Sequence, residues 1–144
     1  MPEQPDWYLP YFPELREGPP WVTEDMIDAE SGLARIVDEL AGPAKELAVL
    51  VRRALDAREP VTVVGSGTSE YAAQAVAEIL EDAARSAGAR GGAVQARESF
   101  DSSVDPRSGL LVAVSHGGRS RVAVAALEAA RSAGAATALI TAAG

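Results

Sequence analysis

Two short apolar runs are each followed at once by a turn rich in glycine and hydroxyls, and then by an amphipathic helix. The first is 61-VTVV-64 with 65-GSGTSE-70; the second is 109-GLLVAV-114 with 115-SHGGRS-120. Short continuous apolar runs bounded by turn residues are the pattern of strands buried on both faces. After the first turn, Ala72, Val76, Ile79, Leu80 and Ala83 form an inward stripe, while Glu78, Glu81 and Arg85 face out, and Gly88 ends the helix. Residues 91-GGAVQAR-97 offer a second, weaker strand, followed by a polar loop, 98-ESFDSSVDPRS-108. After the second turn, Ala123, Ala126, Leu127 and Ala130 point inward, Gly134 stops the helix, and 136-ATALIT-141 supplies a fourth strand. Strands alternating with helices through short connections predict an α/β fold, a doubly wound parallel sheet of about four strands with right-handed crossovers. The layering expected is a flavodoxin-like three-layer sandwich.

Upstream of Pro60 the spacing is helical. Thr23 is a suitable N-cap, and Glu24 and Asp25 follow it where acids favour the positive end of the dipole. Leu33, Ile36, Val37 and Leu40 fall at i, i+3, i+4, i+7; Gly42-Pro43 breaks the run; Leu47, Leu50, Val51 and Ala54 then repeat it. Two helices over 23–58 are therefore expected before the sheet domain of 59–144. Arg52, Arg53 and Arg58 crowd the end of the second, where they complement its dipole or bind an anion. Residues 1–22 differ from the rest: six prolines and the aromatic rings of Trp7, Tyr8, Tyr11, Phe12 and Trp21 read as an extended arm that lies against some surface.

Composition removes whole classes of chemistry. The chain of 144 residues has no cysteine and one histidine, His116, which excludes disulfides, thiolate nucleophiles and any site needing two imidazoles. With 13 Lys+Arg against 21 Asp+Glu the formal charge is −8, so neither nucleic acid nor an anionic membrane surface is expected as a partner. No apolar run approaches the ~20 residues a membrane span needs, and the acidic, proline-rich start does not resemble a signal peptide. A cytoplasmic domain without cofactor or metal is expected. Asp101 and Asp105 in a serine-rich loop are weak candidates for a cation.

Each hydroxyl-rich turn sits at the carboxyl end of a strand and opens a helix, the edge at which open α/β sheets bind ligands. Glycines let the backbone approach a ligand closely, and helix N-termini favour anions. The first turn begins like a dinucleotide fingerprint, but Glu70 stands where glycine or alanine is needed, and no Gly-Lys-Ser/Thr of a P-loop occurs. The second turn adds Arg119, whose guanidinium pairs with a phosphate through two N–H groups. The competing explanations are plain turn chemistry for Ser66, Thr68 and Ser69 and plain N-capping for Ser120.

The pattern VTVVGSGTSEYAA, then LLVAVSHGGRSRVAVAALEAARSAGAATALIT, resembles the SIS (sugar isomerase) domain, a phosphosugar-binding module. The resemblance covers about residues 24–141, and the helical lead-in is similar to the segment before the isomerase half of glucosamine-6-phosphate synthase. It implies phosphate binding by Gly67, Thr68, Ser69, Ser115, Gly117, Gly118, Arg119 and Ser120. Three positions depart from the family: Gly117 replaces a usual serine, Arg119 a usual glutamate, and His116 a residue that is often glutamine.

The resemblance implies a hexose or amino-hexose 6-phosphate as ligand, in an aldose–ketose isomerase or a related deaminase or dehydratase of carbohydrate metabolism. Such chemistry needs a base near C1/C2, for which His116 and Glu98 are the candidates. The alternative is a phosphosugar-sensing or interaction module without chemistry. The family's sheet normally continues to a fifth strand and its enzymes usually carry a second module, so the domain reads as incomplete at its C-terminus. The aromatic arm and the alanine-rich helices suggest a homodimer.

Overall fold

The computed structural model describes the backbone of residues 24–141 and the side chains of residues 36–141. The arm, residues 1–22, and the expected cap Thr23 lie outside the described residues, as do the side chains around Leu33. The chain divides into two units, Met1–Pro43 and Ala44–Gly144. Helix α1 (Glu24–Asp56) contains Pro43, so its second half belongs to the sheet domain. In the first unit Ile36, Val37 and Leu40, expected as a buried stripe, are exposed. No described element of that unit covers their face of the helix.

The second unit continues as β1 (Val61–Gly65), α2 (Thr68–Ser86), β2 (Val94–Glu98), α3 (Ser99–Val104), β3 (Leu110–Val114), α4 (Arg121–Ser132) and β4 (Ala136–Ile140). All neighbouring strands are parallel, in the order β2-β1-β3-β4. The α/β, doubly wound expectation is met. Every residue of β1 and β3 is buried, and the strands run in register from Val61↔Leu110 to Val64↔Ala113. Successive side chains alternate between the faces. Val61, Val63, Leu110, Val112 and Val114 join Val51 and Ala54 of α1 and Ala73, Ala77 and Ala84 of α2 in one core. Val64, Leu111 and Ala113 join Ala126 and Ala130 of α4 in the other. Each fully buried Val or Leu contributes about 1.5–3 kcal/mol, so the paired strands are the centre of the domain's stability. Among the described residues no helix is long and apolar enough to cross a membrane.

Two local expectations are corrected. The polar loop over 98–108 contains α3, which packs beside α4. On α2 the buried face is Ala73, Ala77, Glu81 and Ala84, whereas Ala72 and Ala83 are exposed and Ile79 is 68% exposed. Large apolar residues placed the stripe one position off; the helix instead turns its alanines to the sheet, where small side chains permit close approach. Glu81 is buried rather than facing out because β2 is an edge strand whose entry lacks a neighbour. Its carboxylate accepts from the backbone N–H of Gly92 and, at 2.9 Å, of Val94, and pairs with Arg85 Nε at 3.2 Å.

Those contacts hold the Glu81 carboxyl below the usual carboxylate range: the Val94 N–H acts most strongly, then the Gly92 N–H, with burial opposing and Arg85 assisting. A depressed folded-state pKa means that its stabilisation is present above the unfolded value and lost as pH falls through the folded value. Glu81→Gln is expected to cost about 1–3 kcal/mol at pH 7. It is also expected to flatten the loss of stability between neutral pH and about pH 3, measured by urea unfolding across that range.

Candidate functional site

The strand order puts the ends of β1 and β3 side by side, while the helices that follow them leave in opposite directions. Helix α2 covers the face shared with α1, and α4 covers the other. These departures make the carboxyl edge between β1 and β3 a topological switch point, the place where open α/β folds bind ligands.

Only two residues, Ser66 and Gly67, separate β1 from α2. So tight a connection requires glycine at Gly65, where a Cβ would run into the backbone carbonyl of Ser69 and lie 2.8 Å from the Glu70 nitrogen. Gly67 follows at φ +59° and ψ −129°, a conformation open to glycine, and occupies the N-cap position of α2 with no side-chain cap. The Ser69 and Glu70 amides are taken up in the turn by the carbonyls of Ser66 and Gly67. Thr68 is exposed and Ser69 half-buried at the rim.

The second loop is anchored to β4. Ser115, buried, donates its backbone N–H to the Ile140 carbonyl at 3.0 Å, and Thr141 Oγ1 donates to the His116 carbonyl at 3.1 Å. His116, Gly117 and Arg119 are exposed, with Gly118 and Ser120 half-buried. The Ser120 hydroxyl accepts from the Ala123 N–H at 3.4 Å, so it caps α4. Arg121, the exposed first residue of α4, adds a second cation two residues from Arg119; the alternation Arg-Ser-Arg around the cap is its signal in the sequence.

Glu98 lies opposite Gly65 at the end of β2. One of its oxygens accepts from Ser66 Oγ at 2.8 Å, and the other from the Phe100 N–H as the cap of α3. Burial works to raise this carboxyl's pKa, but the Ser66 hydroxyl and the N–H groups of Phe100, Asp101 and Ser99 outweigh it and hold the group below the usual carboxylate range. Glu98 therefore stays ionised at neutral pH. It borders the first loop, whereas His116 borders the second. With β1 between their strands, two interstrand spacings of ~4.8 Å separate the backbones that carry them. Ser66, treated in the sequence as turn chemistry, is the residue that ties Glu98 to the first loop.

The eight phosphate-binding candidates thus fall into two groups, Gly67, Thr68 and Ser69 at the end of β1 and Ser115, Gly117, Gly118, Arg119 and Ser120 at the end of β3, on adjacent strands. Two helix N-termini begin at this edge, with Arg119 and Arg121 flanking the Ser120 cap of α4 in sequence and the Glu98 carboxylate fixed at the end of β2; helix N-termini favour anions. Among the described residues no cluster of three or more His, Asp or Glu is placed to hold a metal. No family model matches the chain, and no curated protein matches it.

Gly65→Ala is expected to destabilise the protein by about 1–3 kcal/mol in urea unfolding, because the clash is with backbone and the first turn of α2 must move. An unchanged midpoint would show that the β1–α2 turn has room for a methyl group.

Proposed function

We propose that this chain binds a sugar phosphate, a hexose or amino-hexose 6-phosphate, in the crevice between the ends of β1 and β3, as an SIS-type module of an isomerase-like enzyme in the cytoplasm. One observation carries the reading. Two glycine-containing, hydroxyl-bearing loops open the N-termini of α2 and α4 at adjacent strand ends. The charge distribution supports an orientation for the ligand. The phosphate lies toward the second loop, where Arg119 and Arg121 offset its charge; the sugar reaches across β1 toward Glu98, which prefers hydroxyl or ammonium donors. In the catalytic version His116 moves the proton between C1 and C2. A second copy of the chain completes the assembly.

A specific observation favours a second reading, ligand sensing without turnover. Both Glu98 oxygens are already engaged by the protein and its pKa is depressed, which makes it a weak base for removing a proton from carbon. Following fructose 6-phosphate by proton NMR, with and without an amine source, separates the two. Turnover that disappears in His116→Ala favours the enzyme, and binding without turnover favours the sensor.

Saturating glucose 6-phosphate or glucosamine 6-phosphate is expected to raise Tm. Ligand at about 100 times Kd stabilises the fold by about 2.7 kcal/mol, a shift of several degrees, while free glucose gives none. Arg119→Ala is expected to weaken the phosphorylated ligands about tenfold or more without lowering the Tm of the free protein. No shift with any hexose phosphate at millimolar concentration would refute the proposal.

A further inference from the structure

A cavity of about 450 Å³ lies between the second half of α1 and the end of α2, away from the carboxyl ends of the strands. Its floor is apolar, made by the buried Val51 and Ala84 and the half-buried Leu55 and Leu80, and the exposed Arg52, Asp56 and Arg58 stand at its α1 side. The volume is within the range of small-molecule sites, which are typically apolar with a few placed polar groups. It exists because the facing positions on α2 are alanines, too small to fill the gap.

Arg58 supplies a second observation, independent of the cavity. Three helices of the domain end in the same motif, in which a left-handed residue is followed by one whose N–H reaches back five positions. At α2 and α4 the pairs are Gly88 with Ala89→Ala84 and Gly134 with Ala135→Ala130, each at 2.9 Å. At α1 the corresponding bond is Glu59→Ala54 at 2.8 Å, but the left-handed residue is Arg58, at φ +59°. It is the one non-glycine with positive φ among the described residues. Glycine would be the easier residue in that conformation, so the chain keeps an arginine there at a cost in backbone strain. Among the described residues neither Arg52 nor Arg58 has a salt-bridge or side-chain hydrogen-bond partner.

We infer that this cavity is a binding site for a small amphipathic carboxylate, its apolar group on that floor and its carboxylate on Arg52 and Arg58. The partial negative charge of two helix C-termini and the carboxylate of Asp56 oppose an anion here. Each helix end, like the exposed Asp56 carboxylate, weakens binding only about two- to fivefold, whereas a bidentate guanidinium–carboxylate pair strengthens it about tenfold or more and burial of the apolar group adds to that. Two arginines therefore outweigh the opposition. The site shares no residue with the β1/β3 crevice and does not depend on the reading given for it.

The test is titration of the full chain with octanoate, followed by backbone amide chemical shifts, with 1-octanol as the uncharged control. Saturable octanoate shifts at Arg52, Leu55, Arg58, Leu80, Ala84 and Ala87, with octanol at least tenfold weaker, are the expected result. Arg58→Gly relieves the left-handed strain, so it is expected to raise Tm by about 2–5 °C while weakening octanoate about tenfold. Arg52→Ala is expected to weaken octanoate similarly. Octanoate that fails to bind at millimolar concentration, binds no better than octanol, shifts only the β1 and β3 loops, or binds Arg58→Gly as well as the parent chain would overturn the inference.

Discussion

Everything in the domain follows from β1 and β3 lying side by side with both faces buried. Val61, Val63, Val64, Leu110, Leu111 and Val112 are at most 2% exposed, and of the β1 side chains only Thr62 is polar. A strand pair of this kind needs a helix layer on each face, so the connection leaving β1 and the connection leaving β3 must depart to opposite sides. The switch point at their carboxyl ends is a consequence of that requirement. Under the proposed function, the residues that make the core also determine where a ligand reaches two helix N-termini at once.

The two sides of the crevice are built differently. The β1 side is tight, with a two-residue connection under which Gly65 must leave room for the Ser69 carbonyl. There Ser66 is engaged with Glu98, and α2 begins without a side-chain cap. On the β3 side the loop is longer, is tied to β4 through Ser115 and Thr141, and has its helix capped by Ser120. Under the proposed function these differences divide the labour. The second loop, with its two arginines, takes the phosphate, and the first loop with Glu98 reads the sugar.

What the sequence made legible was set by the size and branching of side chains. The apolar runs at β1 and β3 marked buried strands without ambiguity, and the α4 stripe of Ala123, Ala126, Leu127 and Ala130 was read correctly because the small residues recur at helical spacing with one large one. On α2 the same logic misled: Val76, Ile79 and Leu80 outweighed the alanines in a pattern based on apolar bulk, although the sheet selects Ala73, Ala77 and Ala84 for close approach. Glu81 reads as solvated in the sequence because its partners, the Gly92 and Val94 amides, come from β2 and the turn before it, eleven and thirteen residues further on. Helix α3 was hidden in a serine-rich stretch; Ser99 and Ser102, three apart, are its buried face, with hydroxyls that have no hydrogen-bond partner. For the site, the two loops were visible as motifs, but the Ser66–Glu98 bond required knowing that β2 pairs with β1.

The most direct test of the central claim is an amide chemical-shift titration of the full chain with glucose 6-phosphate. The account predicts saturable shifts at Gly67, Thr68 and Ser69 together with those from Ser115 to Ser120, and little change at the far edge of the sheet. Saturable shifts confined to one loop, shifts centred elsewhere, or none at millimolar ligand would contradict a phosphosugar site built from the ends of β1 and β3.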